Sequence, residues 1–370
     1  MNIESSVRER YTQAALDRQE ALCCPVDYVP GLLAALPEEI IARDYGCGDP
    51  SRYVQAGDVV LDLGSGGGKI CYLAAQLVGP QGRVIGVDMN DDMLALARKY
   101  QAGMARKLGG DRVRFLKGYI QDLALDVEVL DRHLREHPVV DRQGYTELRA
   151  WEARQRREQP LIANASVDLV ISNCVLNLVC DEEKEQLVRE IFRVLKPGGR
   201  IAVSDIVSDR PIPAELKQDP ELWSGCIAGA FQDSEFLRVF ADNGFHAVCY
   251  DKWEAQPWRV VEGIEFRAVI LTACKGVMEG SLTEHRSLIY RGPFAAVIDD
   301  SGLRHVRGER SRVTVAQHAR LTGAAYRGMF IDPQAGLSAA AVSCCASAIP
   351  AVDAKQNDSS HTTGHGSRCC

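Results

Sequence analysis

The 370-residue chain contains 13 cysteines but no Cys-x-x-Cys pair. Zinc-finger sites use closely spaced ligand pairs of that kind, so the sequence gives little support for a structural zinc site. The chain also lacks any apolar run near the roughly 20 residues that span a bilayer, and its first residues lack the basic start and apolar core of a secretory signal. We therefore expect a cytoplasmic protein with no membrane partner, in which reducing conditions disfavour a disulfide framework.

Positive charge is not in excess. The chain has 43 Lys and Arg against 50 Asp and Glu, a formal net charge of -7. A nucleic-acid surface needs clustered Lys and Arg facing phosphates, so we expect no nucleic-acid partner. The content of 46% hydrophobic and 25% charged residues is that of an ordinary globular protein. The sequence carries no signal of oligomeric state, and a monomer is the default expectation.

Apolar strands alternate with helices over most of the chain. The predicted strands are Val59–Leu63, Arg83–Asp88, Arg112–Lys117, Val167–Ser172, Arg200–Asp205, His246–Trp253 and Phe266–Lys275. The predicted helices between them are Lys69–Val78, Asp91–Leu108, Glu182–Leu195, which ends at the breaker Lys196-Pro197-Gly198-Gly199, and Glu235–Asn243. This pattern predicts an α/β fold, a doubly wound and mostly parallel seven-stranded sheet covered on both faces.

The sequence predicts four regions along the chain. Residues 1–55 form a helical cap segment that contains Cys47, with helices over Arg8–Leu22 and Gly31–Ile41. Residues 56–278 form the main domain, interrupted at 128–160 by a charged insertion with a helix over Tyr145–Glu158. We interpret the insertion as a solvated helix, with a lid over the cleft as the alternative. Residues 279–332 form a small C-terminal α+β extension with alternation in Leu288–Ile298 and a turn at Asp299–Gly302, and residues 333–370 a disordered tail with cysteines.

A glycine-rich loop, Gly64-Ser65-Gly66-Gly67-Gly68, follows the first strand and opens a helix. Glycines let the backbone approach a ligand closely. Asp88, at the end of the next strand, is placed to accept hydrogen bonds from both ribose hydroxyls of a nucleoside. A dinucleotide is the alternative ligand, but the Gly-x-Gly-x-x-Gly motif of dinucleotide-binding loops would have its third glycine at position 69, where this chain has Lys69. Asp62 would repel pyrophosphate and suits the cationic amino-acid part of S-adenosylmethionine. The predicted cofactor residues are Asp62, Gly64, Ser65, Gly66, Asp88, Met89, Ile120, Gln121 and Asn173.

Three cysteines lie in distinctive segments, and strand topology directs one of them, Cys174, to the cleft. Cys174 is the first residue past the fourth strand, and parallel strands direct their carboxyl ends to the cleft. Cys47 lies in Tyr45-Gly46-Cys47-Gly48, and Cys226 in Ser224-Gly225-Cys226. Thiols around a nucleotide loop indicate chemistry on a soft, thiophilic substrate.

The remaining cysteines receive other interpretations. Cys71, Cys249 and Cys274 lie inside helix or strand patterns, and we predict that they are buried as small hydrophobic residues. For Cys180 the sequence does not decide between a buried core residue and a functional one. In the predicted tail, Cys344, Cys345, Cys369 and Cys370 could capture a metalloid and pass it inward.

From about residue 10 to 330 the chain resembles the arsenite methyltransferases of the S-adenosylmethionine-dependent class I superfamily. The resemblance depends on these segments: Tyr45–Gly48, Leu61–Gly66, Gly86–Met89, Ile171–Leu178 and Ser224–Ala230. It implies a Rossmann-like class I fold in which Cys174 and Cys226 bind trivalent arsenic, with Cys47 as third ligand and redox partner. These three residues would be both catalytic and arsenic-binding. The implied substrates are arsenite and methylarsenicals as thiol conjugates, and the implied reductant is thioredoxin or glutathione.

The chain departs from this family at three places: Gln121 stands where a glutamate is usual, Lys69-Ile70 follows the glycine loop, and the charged insertion is long. Two alternatives stay open. One is a class I methyltransferase for an organic acceptor such as a quinone or sterol precursor, which would tolerate loss of the three thiols. The other is a thiol-based metalloid-binding protein without catalysis, which would not need Asp62 and Asp88.

Overall fold

A computed structural model describes residues 3–17, 19, 26, 28–43, 45–276 and 284–335. The chain divides into two compact units, residues 1–332 and residues 333–370. The predictions for the tail and its four cysteines lie outside the described residues. In the described part, no helix has the length and apolar character needed to cross a membrane.

The strands of the described residues are β1 (Val59–Leu63), β2 (Arg83–Asp88), β3 (Val113–Lys117), β4 (Val167–Asn173), β5 (Leu195–Ser208), β6 (Phe231–Gln232), β7 (Phe245–Trp253), β8 (Arg259–Val261), β9 (Ile264–Lys275), β10 (His285–Tyr290), β11 (Ala296–Ile298), β12 (Arg304–Val306), β13 (Arg310–Thr314) and β14 (Phe330–Ile331).

The helices are α1 (Ile3–Leu16), α2 (Pro30–Leu33), α3 (Glu38–Ala42), α4 (Lys69–Leu77), α5 (Asp91–Leu108), α6 (Val127–Glu136), α7 (Arg142–Glu158), α8 (Asp181–Val194), α9 (Ala214–Lys217), α10 (Pro220–Ser224), α11 (Asp233–Asp242) and α12 (Val315–Leu321). Short 3₁₀ turns cover Pro50–Tyr53, Leu176–Leu178 and Ala324–Tyr326.

The main sheet has the strand order β3-β2-β1-β4-β5-β9-β7, with short β6 beside β5 and β8 beside β9. The first five strands are parallel, and β9 runs antiparallel between β5 and β7. Hydrophobic clusters cover both faces. Val60, Leu169 and Ile171 pack with α4 on one face, and Leu63 and Val170 pack with α8 on the other. The predicted doubly wound, mostly parallel sheet of seven principal strands is confirmed, and the two short strands were missed.

Some predicted boundaries are wrong. Helix α8 ends at Val194, next to the predicted breaker, but β5 begins at Leu195 and not at Arg200, because Leu195 already pairs with Val167 of β4. The segment Lys196–Gly199 is an irregularity in β5, after which pairing to β4 resumes at Arg200. Helix α1 begins at Ile3, before the predicted start at Arg8, and ends at Leu16. The segment predicted as one helix over Gly31–Ile41 forms α2 and α3, because Pro37 interrupts it as the N-cap of α3.

The charged insertion is a pair of helices, α6 and α7, and α7 has no buried residue, as expected of a solvated helix. Beyond it, β10, β13 and β14 form a three-stranded sheet, and β11 and β12 a separate hairpin. The predicted Asp299–Gly302 turn is confirmed, because Asp299 N donates to Leu303 O and Gly302 N to Asp299 O.

The aromatic cluster under α11 provides a test of the core. Phe240 is fully buried and its ring lies 5.8 Å from that of Phe236 and 5.5 Å from that of Phe245, edge-on to both. Replacing Phe240 with Ala should lower the free energy of unfolding by about 3–5 kcal/mol, because burial is lost and a cavity remains. Urea denaturation measures the change. Phe294→Ala is the matched control, since Phe294 is 67% exposed, and a similar loss in both variants would contradict the prediction.

Candidate functional site

The glycine loop between β1 and α4 is shaped by close contacts. Gly64 has φ +67°, and a Cβ there would lie 2.4 Å from Val175 Cγ1. Gly68 has φ +87°, and a Cβ there would lie 2.8 Å from the Phe115 ring. Both positions therefore require glycine, which has no side chain and adopts positive φ without strain.

Two carboxylates flank this loop. Asp62 is buried near the end of β1 and accepts a hydrogen bond from Cys71 Sγ at 3.2 Å. Burial is the main cause that raises the pKa of Cys71 well above its ordinary value, and the negative charge of Asp62 adds to it, so this thiol stays protonated. Asp88 ends β2, and its oxygens accept from Gly66 N and Asn90 N, both at 2.8 Å. Burial raises the pKa of Asp88, although these N–H groups oppose the shift.

A cavity of about 660 Å³ lies beside the loop. Every residue predicted to bind the cofactor lines it: Asp62, Gly64, Ser65, Gly66, Asp88, Met89, Ile120, Gln121 and Asn173. Ser65 Oγ is buried without a hydrogen-bond partner among the described residues, so it can bond to a ligand. Their roles in binding remain predictions.

Sequence reasoning missed part of the cavity wall. Helix α1 supplies Val7 and Tyr11 to it. The Tyr11 hydroxyl hydrogen-bonds to the Cys226 side chain, and burial together with that thiol raises the pKa of Tyr11 well above its ordinary value. Gln121 Nε2 donates to Glu183 Oε2 at 3.0 Å, and Glu183 also lines the cavity. The sequence carries no signal that α1 reaches this site.

The structure brings Cys47, Cys174 and Cys226 into one buried cluster. Of the three, Cys174 lines the cavity, and Cys47 and Cys226 lie behind it in the cluster. Cys47 and Cys174 are joined by a disulfide, with Cα atoms 5.8 Å apart. Cys226 is not part of a disulfide, and its Sγ donates to Cys174 O at 3.4 Å. Cys174 and Cys226 adopt left-handed φ values of +59° and +61°. Such backbone costs of order 1–3 kcal/mol per residue, so the surrounding contacts must hold both thiols in place.

Asn173 fixes the position of Cys47. Its Oδ1 accepts from Cys47 N at 2.9 Å and from Gly48 N at 3.1 Å, and its Nδ2 donates to Gly48 O at 2.9 Å. A Cβ on Gly46 would lie 2.0 Å from Asn173 Nδ2, and one on Gly48 would lie 2.2 Å from Ser204 Oγ. The two glycines therefore let the Cys47 segment contact β4 and β5. Although Asn173 was predicted to bind the cofactor, its amide also anchors this segment.

Asp205 in β5 was missed as a site residue. It is fully buried, and its carboxylate lies with the Cys47 and Cys174 sulfurs in a group of ligand atoms within 4.8 Å of one another. Its Oδ2 accepts from Leu176 N and Asn177 N, and its Oδ1 from Ile206 N. Burial raises the pKa of Asp205 to about 7. The available signal was an acid inside the apolar strand Ile201–Val207.

The other cysteines differ from one another. Cys71 is buried as predicted and Cys274 is partly buried, but the prediction for Cys249 is wrong. Cys249 is exposed, because it lies in the outer strand β7 and faces Thr272 Oγ1 at 3.4 Å. Cys180 lines the cavity, with Sγ 3.3 Å from Glu183 Oε2. Burial, and then Glu183, raise the pKa of Cys180 to about 11, so it is a poor nucleophile.

The anchoring by Asn173 predicts a shift in thiol–disulfide equilibrium. Asn173→Ala removes the three hydrogen bonds that hold Cys47 beside Cys174. Each is worth about 1 kcal/mol, so the disulfide should become about 10- to 100-fold easier to reduce. The measurement is the Cys47–Cys174 linked peptide in glutathione redox buffers, quantified by mass spectrometry. Asn164→Ala, at an exposed asparagine, should leave the equilibrium unchanged. An unchanged equilibrium in Asn173→Ala would refute the anchoring.

Comparison with known proteins gives two family matches. The family described as "Methyltransferase domain" matches residues 55–244. A "Domain of unknown function (DUF8838)" matches residues 278–362, which include β10–β14.

Curated relatives include an arsenite methyltransferase of Aquipseudomonas alcaligenes, 35% identical over 63% of this chain and 58% of that protein. The arsenite methyltransferase of Mus musculus is 31% identical over 66% of this chain and 55% of its own length. The chain thus spans little more than half the length of these two relatives. Quinone methyltransferases match more distantly, for example a demethylmenaquinone methyltransferase of Lactobacillus johnsonii at 30% identity over 40% of this chain.

Among solved structures, an arsenic(III) S-adenosylmethionine methyltransferase from Chlamydomonas reinhardtii is 28% identical, with a TM-score of 0.56. The alignment covers 83% of this chain and 96% of that one. The methyltransferase-domain match covers just over half of the chain and includes the glycine loop, both flanking carboxylates and the first five sheet strands. The chain therefore belongs to the methyltransferase domain family, with the class I, Rossmann-like fold.

Proposed function

We propose that this protein is an arsenite methyltransferase, which transfers methyl groups from S-adenosylmethionine to trivalent arsenic held by Cys47, Cys174 and Cys226. One observation carries the proposal: three buried cysteines form one cluster, and one of them, Cys174, lines the cavity that the glycine loop and two carboxylates also line. The names of the relatives from Aquipseudomonas, mouse and Chlamydomonas support it.

The cavity lining fits S-adenosylmethionine. Buried Asp62 favours the cationic amino-acid end, and Asp88 keeps free lone pairs for ribose hydroxyls beside its two backbone contacts. Ile120 and Gln121 follow β3 and would contact the adenine. Ser65 Oγ supplies a further hydrogen bond from a buried position. When bound, this cofactor supplies an electrophilic methyl group on its sulfonium.

The thiols fit trivalent arsenic, because soft metalloids prefer thiolates to oxygen or nitrogen. Arsenic bound to three thiolates is pyramidal and keeps a lone pair, which attacks the methyl carbon as the bond from sulfonium to methyl breaks. No general base is needed on this nucleophile. The main contribution of the protein is to position the reactants, and alignment can contribute on the order of 7–11 kcal/mol.

Methyl transfer raises arsenic to the pentavalent state, and a return to trivalent arsenic needs two electrons. Two thiolates supply them by forming one disulfide, and the Cys47–Cys174 bond has the composition of that product. A thiol reductant, thioredoxin or glutathione, would then restore both thiols. We further propose that the protein acts as a cytoplasmic monomer, that residues 279–332 are a separate module, and that the product contributes to arsenic detoxification.

An activity assay tests the cysteine roles. With labelled S-adenosylmethionine, arsenite and a thiol reductant, the protein should form methylarsenic, and Cys174→Ser or Cys226→Ser should lower the rate at least about 100-fold because arsenic is no longer held in line. Affinity for S-adenosylhomocysteine should change little in both variants. Cys249→Ser, at an exposed cysteine, is the control and should keep full activity.

Two results would contradict the proposal. Methylation of an organic acceptor that survives loss of all three thiols would support the quinone-type alternative. Binding of both ligands without any transferred methyl group would support a metalloid-binding protein.

Cofactor binding can be tested separately. Asp88→Ala should weaken S-adenosylhomocysteine binding about 10- to 100-fold, because hydrogen bonds to a charged carboxylate contribute about 1.5–3 kcal/mol each. Isothermal titration calorimetry measures the affinity. Asp111→Ala, at an exposed carboxylate after α5, should bind as the unaltered chain does. Equal affinities for the two variants would remove Asp88 from the cofactor site.

A further inference from the structure

We propose that, once the Cys47–Cys174 disulfide is reduced, these two thiolates and the Asp205 carboxylate form a binding site for a thiophilic divalent cation, Zn²⁺ or Cd²⁺, which excludes arsenite from the same thiols. The cation site follows from geometry alone. Only its inhibitory consequence rests on the proposed function.

The ligand atoms are already close together. One atom from each of Cys47, Cys174 and Asp205 lies within 4.8 Å of the other two, and all three residues are buried. In a tetrahedral zinc site with metal–ligand distances of 2.0–2.3 Å, neighbouring ligand atoms are roughly 3.5–3.8 Å apart. Reduction breaks the bond between the two sulfurs. Side-chain rotations that move the ligand atoms by about 1 Å then bring them to metal-binding distances.

A fourth ligand is within reach. Cys226 belongs to the same buried cluster, and its Sγ lies 3.4 Å from the carbonyl oxygen of Cys174. Three sulfurs and one oxygen complete a tetrahedral set of the kind that Zn²⁺ and Cd²⁺ favour.

Asp205 is held as a ligand by its surroundings. Three backbone N–H groups, from Leu176, Asn177 and Ile206, orient the carboxylate. Its Oδ1 accepts only one of these bonds, so it keeps a lone pair for a metal. Hydrogen bonds of this type orient metal ligands in proteins.

Charge also favours a divalent cation. Reduction puts ionisable thiols beside a buried carboxylate, and buried negative charges without a counter-ion are costly. The positive charge of Lys184 stabilises the Asp205 carboxylate, but Lys184 is also paired with Asp181 and donates a hydrogen bond to Gly229 O. A bound Zn²⁺ would neutralise two of the negative charges within the cluster.

Asp205 distinguishes the two ligands of this site. Trivalent arsenic prefers three sulfur ligands, whereas Zn²⁺ accepts a carboxylate readily. Removing the carboxylate should therefore weaken binding of the divalent cation far more than binding of arsenite.

Reduction of the disulfide uses a phosphine and water. The phosphine gives two electrons and the sulfur–sulfur bond breaks, while water supplies the two thiol protons and the oxygen of the phosphine oxide. Zn²⁺ then displaces the thiol protons into solution to form two zinc–sulfur bonds, so binding strengthens as pH rises.

The test uses the full chain, reduced with a phosphine under nitrogen at about pH 8 and titrated with Zn²⁺ or Cd²⁺. Cadmium–thiolate charge-transfer absorbance reports the bonds formed. The Cys47→Ser, Cys174→Ser double variant measures the background from the other cysteines. We expect one additional equivalent bound by the reduced chain, absent from the double variant and from the chain left oxidised.

Asp205→Asn should weaken this additional binding about tenfold or more, as expected for loss of one charged ligand, and change arsenite affinity no more than about threefold. Retained arsenite affinity would show that the thiols are still correctly placed. Asp209→Asn is the matched control, because this carboxylate follows β5 but bonds to Glu265 N and Arg210. Its binding of both ligands should be unchanged.

Three outcomes would overturn the inference: equal stoichiometry in the double variant, unchanged cation affinity in Asp205→Asn, or equal losses of cation and arsenite affinity there. Competition is measured by arsenite binding, not by methyl transfer. A chain that methylates no arsenite would refute the proposed function and leave the cation result intact, whereas an active enzyme indifferent to Zn²⁺ would refute only the inference.

Discussion

The register of three parallel strands is the constraint on which the site depends. Leu63 in β1 pairs with Ser172 in β4, and Asn173 pairs with Ser204 in β5. Parallel ladders keep the strand ends at one edge of the sheet. The next residues are Gly64, Cys174 and Asp205, which therefore lie side by side. The cofactor loop, the first thiol and the buried carboxylate are thus set by backbone hydrogen bonds, not by flexible loops.

The second requirement is to bring distant segments to that edge. Asn173 uses both atoms of its amide to hold the backbone of Cys47 and Gly48, and Trp223 with α10 packs against α1 to place Cys226. Left-handed backbone at Cys174 and Cys226 turns both residues out of regular structure at this point. The thiols are thus placed by contacts made elsewhere, and the strain is offset by the hydrogen bonds from Cys174 N to Ser204 O and from Leu176 N to Asp205.

Much of this could be read from local patterns. Near-continuous apolar runs such as Val59–Leu63 and Val167–Ser172 identify buried parallel strands. The helix Asp91–Leu108 is bounded by Asn90 as N-cap and by Gly109 in the left-handed region. Predictions failed where long-range pairing extends an element, as at Leu195, whose pairing with Val167 of β4 starts β5 before the irregularity at Lys196–Gly199. The exposure of Cys249 could not be read either, because an outer strand has the same apolar alternation as an inner one.

The amino-acid sequence specifies which chemical groups are present: the glycines of the loop, the acids at the ends of β1 and β2, and three cysteines in distinctive segments. Cys47 and Cys174 are 127 residues apart in the sequence. Metal-ligand motifs are recognisable in a sequence only when few residues separate the ligands, so no such pattern is visible here. Folding is what brings Cys47, Cys174 and Asp205 into one buried volume. Sheet register and the Asn173 hydrogen bonds act between residues that are far apart in the sequence, and no local pattern shows such contacts.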